Sequence, residues 1–387
     1  MTVPAAHHVQ ASDPGRVWAP VVDQHATWIA VNPVQGCPKR CTYCFLNERG
    51  QTAVPPTQVA SPHESVSLLL SSEFYGPSRP VAFYTWTDVM ALPTSRAHLS
   101  ALLGEWVRRA VPNPLVLITK CRVPDETIAA INSAREHGAT VLVYLSYSGL
   151  SREVERGIRH DAIVDNFPRL AEAGVPIVHY WRPAFPSSAD RETMCRVLDH
   201  AARYATCTVA AGLKVEPAAL ERMAKSWPEL ANTPGVAEAE GVYPRAFWKF
   251  IHRTWQRHPG YPVFHTNSCA LSFVLDRADS FGVFGSLTCR VRNTCPVAQR
   301  ERCTVADSQR TPPSDDEVRA ALARRGVPAA SFSLVGQGRE LVIDAAVGTN
   351  VAAALTQDLG IRIRVARDGG DPYWSSGTAG ATPVILP

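Results

Sequence analysis

Val31-Asn32-Pro33-Val34-Gln35-Gly36-Cys37-Pro38-Lys39-Arg40-Cys41-Thr42-Tyr43-Cys44-Phe45-Leu46 places three thiols in one loop directly after an apolar run. Three is the informative number. A [4Fe-4S] cube needs four ligands, so three thiolates leave one iron open to something else, whereas a structural zinc site ordinarily closes with four side chains. A zinc knuckle completed by a distant histidine is the competing arrangement. Against it stand the loop's place after a strand, at the head of a βα array, and the aromatic Tyr43 just before the third cysteine. Lys39, Arg40 and the loop amides would help to hold thiolates and a negative cluster.

Outward from that loop, short apolar runs alternate with segments of helical period, as successive βα units do. The runs Trp28 to Val31, Val81 to Tyr84, Leu115 to Thr119, Val141 to Leu145, Pro176 to Tyr180 and Thr208 to Val215 predict six strands. Leu99, Leu102, Leu103, Trp106, Val107 and Ala110 recur at three- and four-residue spacing, so one helical stripe can lie on the sheet. Similar helices are expected at Pro124 to Glu136, Ile163 to Ala173 and Ala189 to Tyr204, the first two stopped at Gly138 and Gly174. After Val215 the alternation fades. Asp307 to Asp316 reads as a linker, and Ser314 with Glu317 as a capping box. That box opens a helix through Ala323. Strands near Ser331 to Val335 and Glu340 to Asp344, a helix near Asn350 to Leu359 and a strand at Ile361 to Val365 complete a small α+β unit with no chemical motif.

The expected organisation is therefore an extension over 1–27, an α/β partial barrel over 28–215, a cysteine-rich region over 216–306, and the linker with the α+β unit over 307–387. A net charge of +4 and a pI near 8.5 permit a nucleic-acid partner without pointing to one. The first residues show no basic start followed by an apolar run, and no stretch has the length of a membrane span, so a cytoplasmic protein is expected. There its ten cysteines would be reduced thiols or metal ligands. Seven of them fall into two clusters, while Cys121, Cys195 and Cys207 are dispersed.

The C-x3-C-x2-C run with an aromatic before its last cysteine resembles the signature of the radical S-adenosylmethionine (SAM) superfamily. The six βα units resemble that family's partial (β/α)6 barrel, so the resemblance covers roughly Trp28 to Val215. It implies that Cys37, Cys41 and Cys44 hold a [4Fe-4S] cluster whose open iron is chelated by SAM. An electron from the cluster then breaks the sulfur-to-C5′ bond and yields a 5′-deoxyadenosyl radical. Within the family, Leu117-Ile118-Thr119-Lys120, Tyr144-Leu145-Ser146-Tyr147-Ser148, Ala173-Gly174-Val175-Pro176-Ile177 and Arg182-Pro183 are similar to the spore photoproduct lyase-like branch.

Barrel ligands gather at the C-terminal ends of strands. The resemblance puts the Tyr43 backbone against the adenine. At the strand ends, Asp88 can pair with an ammonium, Lys120 with the methionine carboxylate, Ser146 and Ser148 with ribose hydroxyls, and Arg182 with carboxylate or phosphate. Cys121 follows Lys120 at the same mouth. A thiol there could return hydrogen to a product radical, as a cysteine does in spore photoproduct lyase, although a packed core cysteine is the plainer reading.

Cys269, Cys289, Cys295 and Cys303 form a C-x19-C-x5-C-x7-C array without close C-x2-C pairs, which suits a second [4Fe-4S] cluster better than zinc. The sequence thus predicts an enzyme that takes hydrogen from a nucleoside, sugar nucleotide or related small metabolite, with an electron donor such as flavodoxin or ferredoxin. DNA photoproduct repair is the second enzymatic reading. A non-catalytic Fe–S or zinc regulatory protein is the third, and requires the first cysteine loop to be incidental.

Overall fold

Apolar runs of two to five residues become the strands of one sheet in which strand order follows chain order. The computed structural model describes residues 15–239, 241–279, 294–327, 331–368 and 383–387. Strands β1 (Val22–Gln24) and β2 (Ile29–Val31) pair antiparallel at the edge. Then β3 (Val81–Phe83), β4 (Leu115–Thr119), β5 (Val141–Leu145), β6 (Ile177–Trp181), β7 (Cys207–Ala210) and β8 (Val263–Phe264) follow β2 in parallel. Each of the five crossovers from β2 to β7 carries a helix, because a parallel return must span the sheet. These are α1 (Pro62–Ser71), α2 (Pro93–Arg108), α3 (Asp125–Glu136), α4 (His160–Glu172) and α5 (Arg191–Tyr204).

The two-residue period of the strands sorts their side chains into two cores. Val81, Phe83, Leu115, Leu117, Val143 and Leu145 face the helices and pack with Leu99, Leu102 and Trp106 of α2. Ala82, Val116, Leu142, Tyr144, Val178, Tyr180 and Val209 face the barrel interior. Burial on both faces explains why the strands read as continuous apolar runs. Each fully buried Leu, Val or Phe contributes about 1.5–3 kcal/mol against conformational entropy.

An α/β partial barrel is therefore present, with three differences from expectation. The sixth expected strand stops at Ala210 instead of Val215. A further parallel strand, β8, lies inside the region expected to be only cysteine-rich; it has two residues, too few to show a period, between Pro262 and His265. The edge strand β1 was not expected either. After β8 come α6 (Asn267–Val274) and α7 (Val297–Ser308).

The last unit has its own apolar cluster, built from α8 (Asp315–Arg324), β9 (Phe332–Val335), β10 (Glu340–Val347), α9 (Thr349–Leu359) and β11 (Arg362–Asp368). Ser314 and Glu317 make the capping box read from sequence. Arg325 joins this unit to the barrel by bonding Glu73 at 3.1 Å, and Arg79 of the barrel bonds Asp358 of α9 at 2.9 Å. Val384–Leu386 runs parallel to Val242–Pro244.

Candidate functional site

The cysteine loop leaves β2 at the C-terminal mouth of the barrel and is fixed by backbone bonds at nearly every turn. Gly36 has φ +98°, and a Cβ there would lie 2.9 Å from Arg16 Nη2 and 3.0 Å from the Pro55 carbonyl oxygen, so glycine is required. Cys37 N donates to Gln51 O at 2.8 Å, and Cys44 N to Cys41 O at 3.2 Å. The Asn47 amide donates to both Cys41 O (3.1 Å) and Cys44 O (2.7 Å). Arg49 bonds Glu216 at 2.8 and 3.0 Å and Arg222 bonds Glu48 at 2.6 Å, which ties the loop to the chain beyond β7.

Cys37 and Cys41 are buried and Cys44 is partly so. Burial, then the charge of Asp88, pushes the Cys37 thiol up to about 12. Burial likewise raises Cys41 to about 11 against the pull of Lys120, and raises Cys44, with the neighbouring Cys41 and Cys37 adding to it. Cys41 opposes the ionisation of Cys37, and both oppose that of Cys44, as thiols carried close together on one short loop do. Such a set fits a positive, sulfur-loving centre that keeps all three deprotonated. Among the described residues no three His, Cys, Asp or Glu side chains converge as ligands of one metal ion. A cube spreads its three thiolates over different irons, so it does not need that convergence.

Beside the loop lies a residue that sequence reasoning missed. Arg40–Cys41 pairs antiparallel with Glu155–Arg156, which sets the Glu155 backbone against that of Cys41. The Glu155 carboxylate is 1% exposed and accepts from Tyr43 Oη (2.5 Å), Lys120 Nζ (2.7 Å) and His160 Nε2 (2.8 Å). Burial alone would raise its pKa, but the Lys120 charge and these bonds together bring it down to about 2. A lone glutamate in an irregular segment carries no sequence signal of this role.

The expected contacts divide accordingly. Lys120 stands at the mouth, held by Glu155 and by the carbonyls of Ser146 and Arg182, both at 3.3 Å. Asp88 is buried and turned to protein donors: Thr119 Oγ1 at 2.7 Å, Lys120 N at 2.7 Å and Met90 N at 3.1 Å. It joins the ends of β3 and β4, and most of its acceptor capacity is used there. Ser148 is fully buried with its hydroxyl on Leu150 N at 3.3 Å, the bond of a local turn, so the structure does not present it to a ligand. Ser146 is buried at the end of β5 beside Lys120. Arg182 is half-buried and donates to Tyr180 Oη at 2.7 Å. Cys121 packs against the helix-side core with its amide on Thr119 Oγ1, and burial followed by Asp88 raises its thiol.

Of the second array, Cys269 on α6 and Cys295 both pack against the barrel-interior cluster. Cys303 lies on α7, accepts from Gln299 Nε2 at 3.4 Å and is raised by burial. Cys289 lies outside the described residues.

No protein-family model matches the chain, and no curated protein matches it in sequence. Among solved structures, spore photoproduct lyase with bound AdoMet and a dinucleoside spore photoproduct is similar, at 13% identity and a TM-score of 0.38. The match covers 52% of this chain and 61% of that one. Streptococcus suis SuiB bound to S-adenosylmethionine is similar at 11% identity and a TM-score of 0.43, over 66% of this chain and 54% of that one. Overlays this distant say nothing of substrate. No described helix is long and apolar enough to cross a membrane.

Proposed function

We propose that this chain is a radical SAM enzyme that takes hydrogen from a nucleoside, sugar nucleotide or related small metabolite. The observation that carries the reading is one loop that brings three thiols, two buried and one partly so, to the mouth of a parallel α/β barrel. When bound to Cys37, Cys41 and Cys44, a [4Fe-4S] cluster supplies the electron that cleaves SAM. The chain's own residues hold and exclude. Trp86 and Phe45 meet edge to face at 5.6 Å and, with Leu46, form the apolar cluster around Cys37 and Cys44, which keeps water from the thiols. Glu155 fixes the Lys120 ammonium and the Tyr43 hydroxyl beside the loop, which sets the Tyr43 backbone for an adenine; Lys120 would meet a carboxylate by exchanging one of its two carbonyl contacts. Cys269, Cys289, Cys295 and Cys303 would hold the second cluster.

The likeness of Tyr144 to Ser148 and of Leu117 to Lys120 to the spore photoproduct lyase-like branch supports DNA repair as the second reading. Anaerobically reconstituted protein should be given SAM, reductant and, in separate reactions, nucleosides, sugar nucleotides and ultraviolet-irradiated oligonucleotide. Stimulation of 5′-deoxyadenosine release by a small metabolite supports the first reading; stimulation by the oligonucleotide alone would replace it with repair.

A further inference from the structure

Three carboxylates near the mouth are matched to three cations: Glu155 to Lys120, Glu216 to Arg49 and Glu48 to Arg222. Arg182 has no such match among the described residues. Val178 and Tyr180 face the barrel interior, and Arg182 follows two residues later with the same parity, one step above Tyr180. Its Nη1 donates to Tyr180 Oη, while its Nε and Nη2 meet no acceptor among the described residues. Tyr180 Oη also accepts from Asn267 Nδ2 at 3.3 Å. With both lone pairs of that oxygen engaged, the phenol proton is left to donate. Asn267 Oδ1 is buried and has no partner among the described residues, an acceptor left for a ligand donor.

We propose that Arg182, Tyr180 and Asn267 form a subsite for a phosphate ester with a neighbouring hydroxyl or amide donor. The guanidinium fork and the phenol proton hold the phosphate, and Asn267 Oδ1 accepts from the neighbouring donor. The substrate is then a nucleotide or sugar nucleotide, not an uncharged nucleoside. This deepens the enzymatic reading above and rests on it for the reaction, but binding tests it without turnover.

The test is calorimetric titration of the full, anaerobically reconstituted chain, saturated with SAM, with uridine 5′-monophosphate and with uridine. The phosphate should tighten binding about ten-fold or more. Arg182→Gln should erase the preference, Arg182→Lys should restore part of it, and Asn267→Leu should weaken the monophosphate several-fold. Equal binding of the two probes by the parent, or a preference that survives Arg182→Gln, overturns the proposal. So does a loss of SAM affinity in Arg182→Gln that vanishes with decarboxylated SAM, since that assigns the fork to the methionine carboxylate. Failure to release 5′-deoxyadenosine would remove the radical reading while leaving a measured phosphate preference in place.

Discussion

Lys120→Met removes an ammonium from a carboxylate that is 1% exposed while keeping most of the apolar stem. Glu155 is left with Tyr43 and His160, in a place where burial opposes its charge. Moving a carboxyl from its usual 4.5 to about 2 corresponds to about 3 kcal/mol in favour of the charged form, shared among Lys120, His160 and Tyr43. Removing one partner of a buried pair typically costs about 3–5 kcal/mol. Both routes lead to a loss of about 3 kcal/mol at neutral pH. Urea denaturation of the full chain, followed by tryptophan fluorescence, measures it. The double variant Lys120→Met/Glu155→Gln should regain more than half, because no charge is then left buried. Because the Glu155 backbone pairs with Cys41, the single variant should also retain less iron on reconstitution. A loss below about 0.5 kcal/mol, or a double variant as unstable as the sum of the singles, would refute the role given to this pair.

Three further outcomes are expected. Asn47→Ala removes two bonds to the carbonyls of Cys41 and Cys44 and should cost about 1–2 kcal/mol, with faster loss of iron on gel filtration. His179 is pushed down to about 4 by burial, so the folded protein keeps it neutral where the unfolded chain takes up a proton near 6.5. Its contribution to stability is therefore whole above pH 6.5 and lost as pH falls towards 4, by about 3 kcal/mol; denaturation midpoints should fall over that window, and less so in His179→Gln. If both cysteine arrays carry cubes, the reconstituted parent should hold about eight irons and the Cys37/Cys41/Cys44→Ala variant half of them. Four irons in the parent with one zinc on the later cysteines would make that second site structural.

The strands β4 and β5 were legible to the residue because each is a five-residue apolar run buried on both faces. The thiol loop was legible because its spacing is itself the chemistry. Glu155 was not, since its partners Lys120 and Tyr43 lie 35 and 112 residues away and only the fold brings them together. Ser148 looked like Ser146 in sequence, yet a local turn buries its hydroxyl against Leu150. The pairing of Val384–Leu386 with Val242–Pro244 joins segments too short and too distant for any periodic signal.

The central claim is that Cys37, Cys41 and Cys44 hold the cluster that cleaves SAM. The direct measurement is 5′-deoxyadenosine and methionine release by anaerobically reconstituted parent and by Cys37/Cys41/Cys44→Ala, each given SAM and dithionite, with circular dichroism as the check on folding. The parent should release both products in equal amounts, and the folded variant neither. Release at the parental rate by the variant, or none from an iron-loaded parent, would contradict the account.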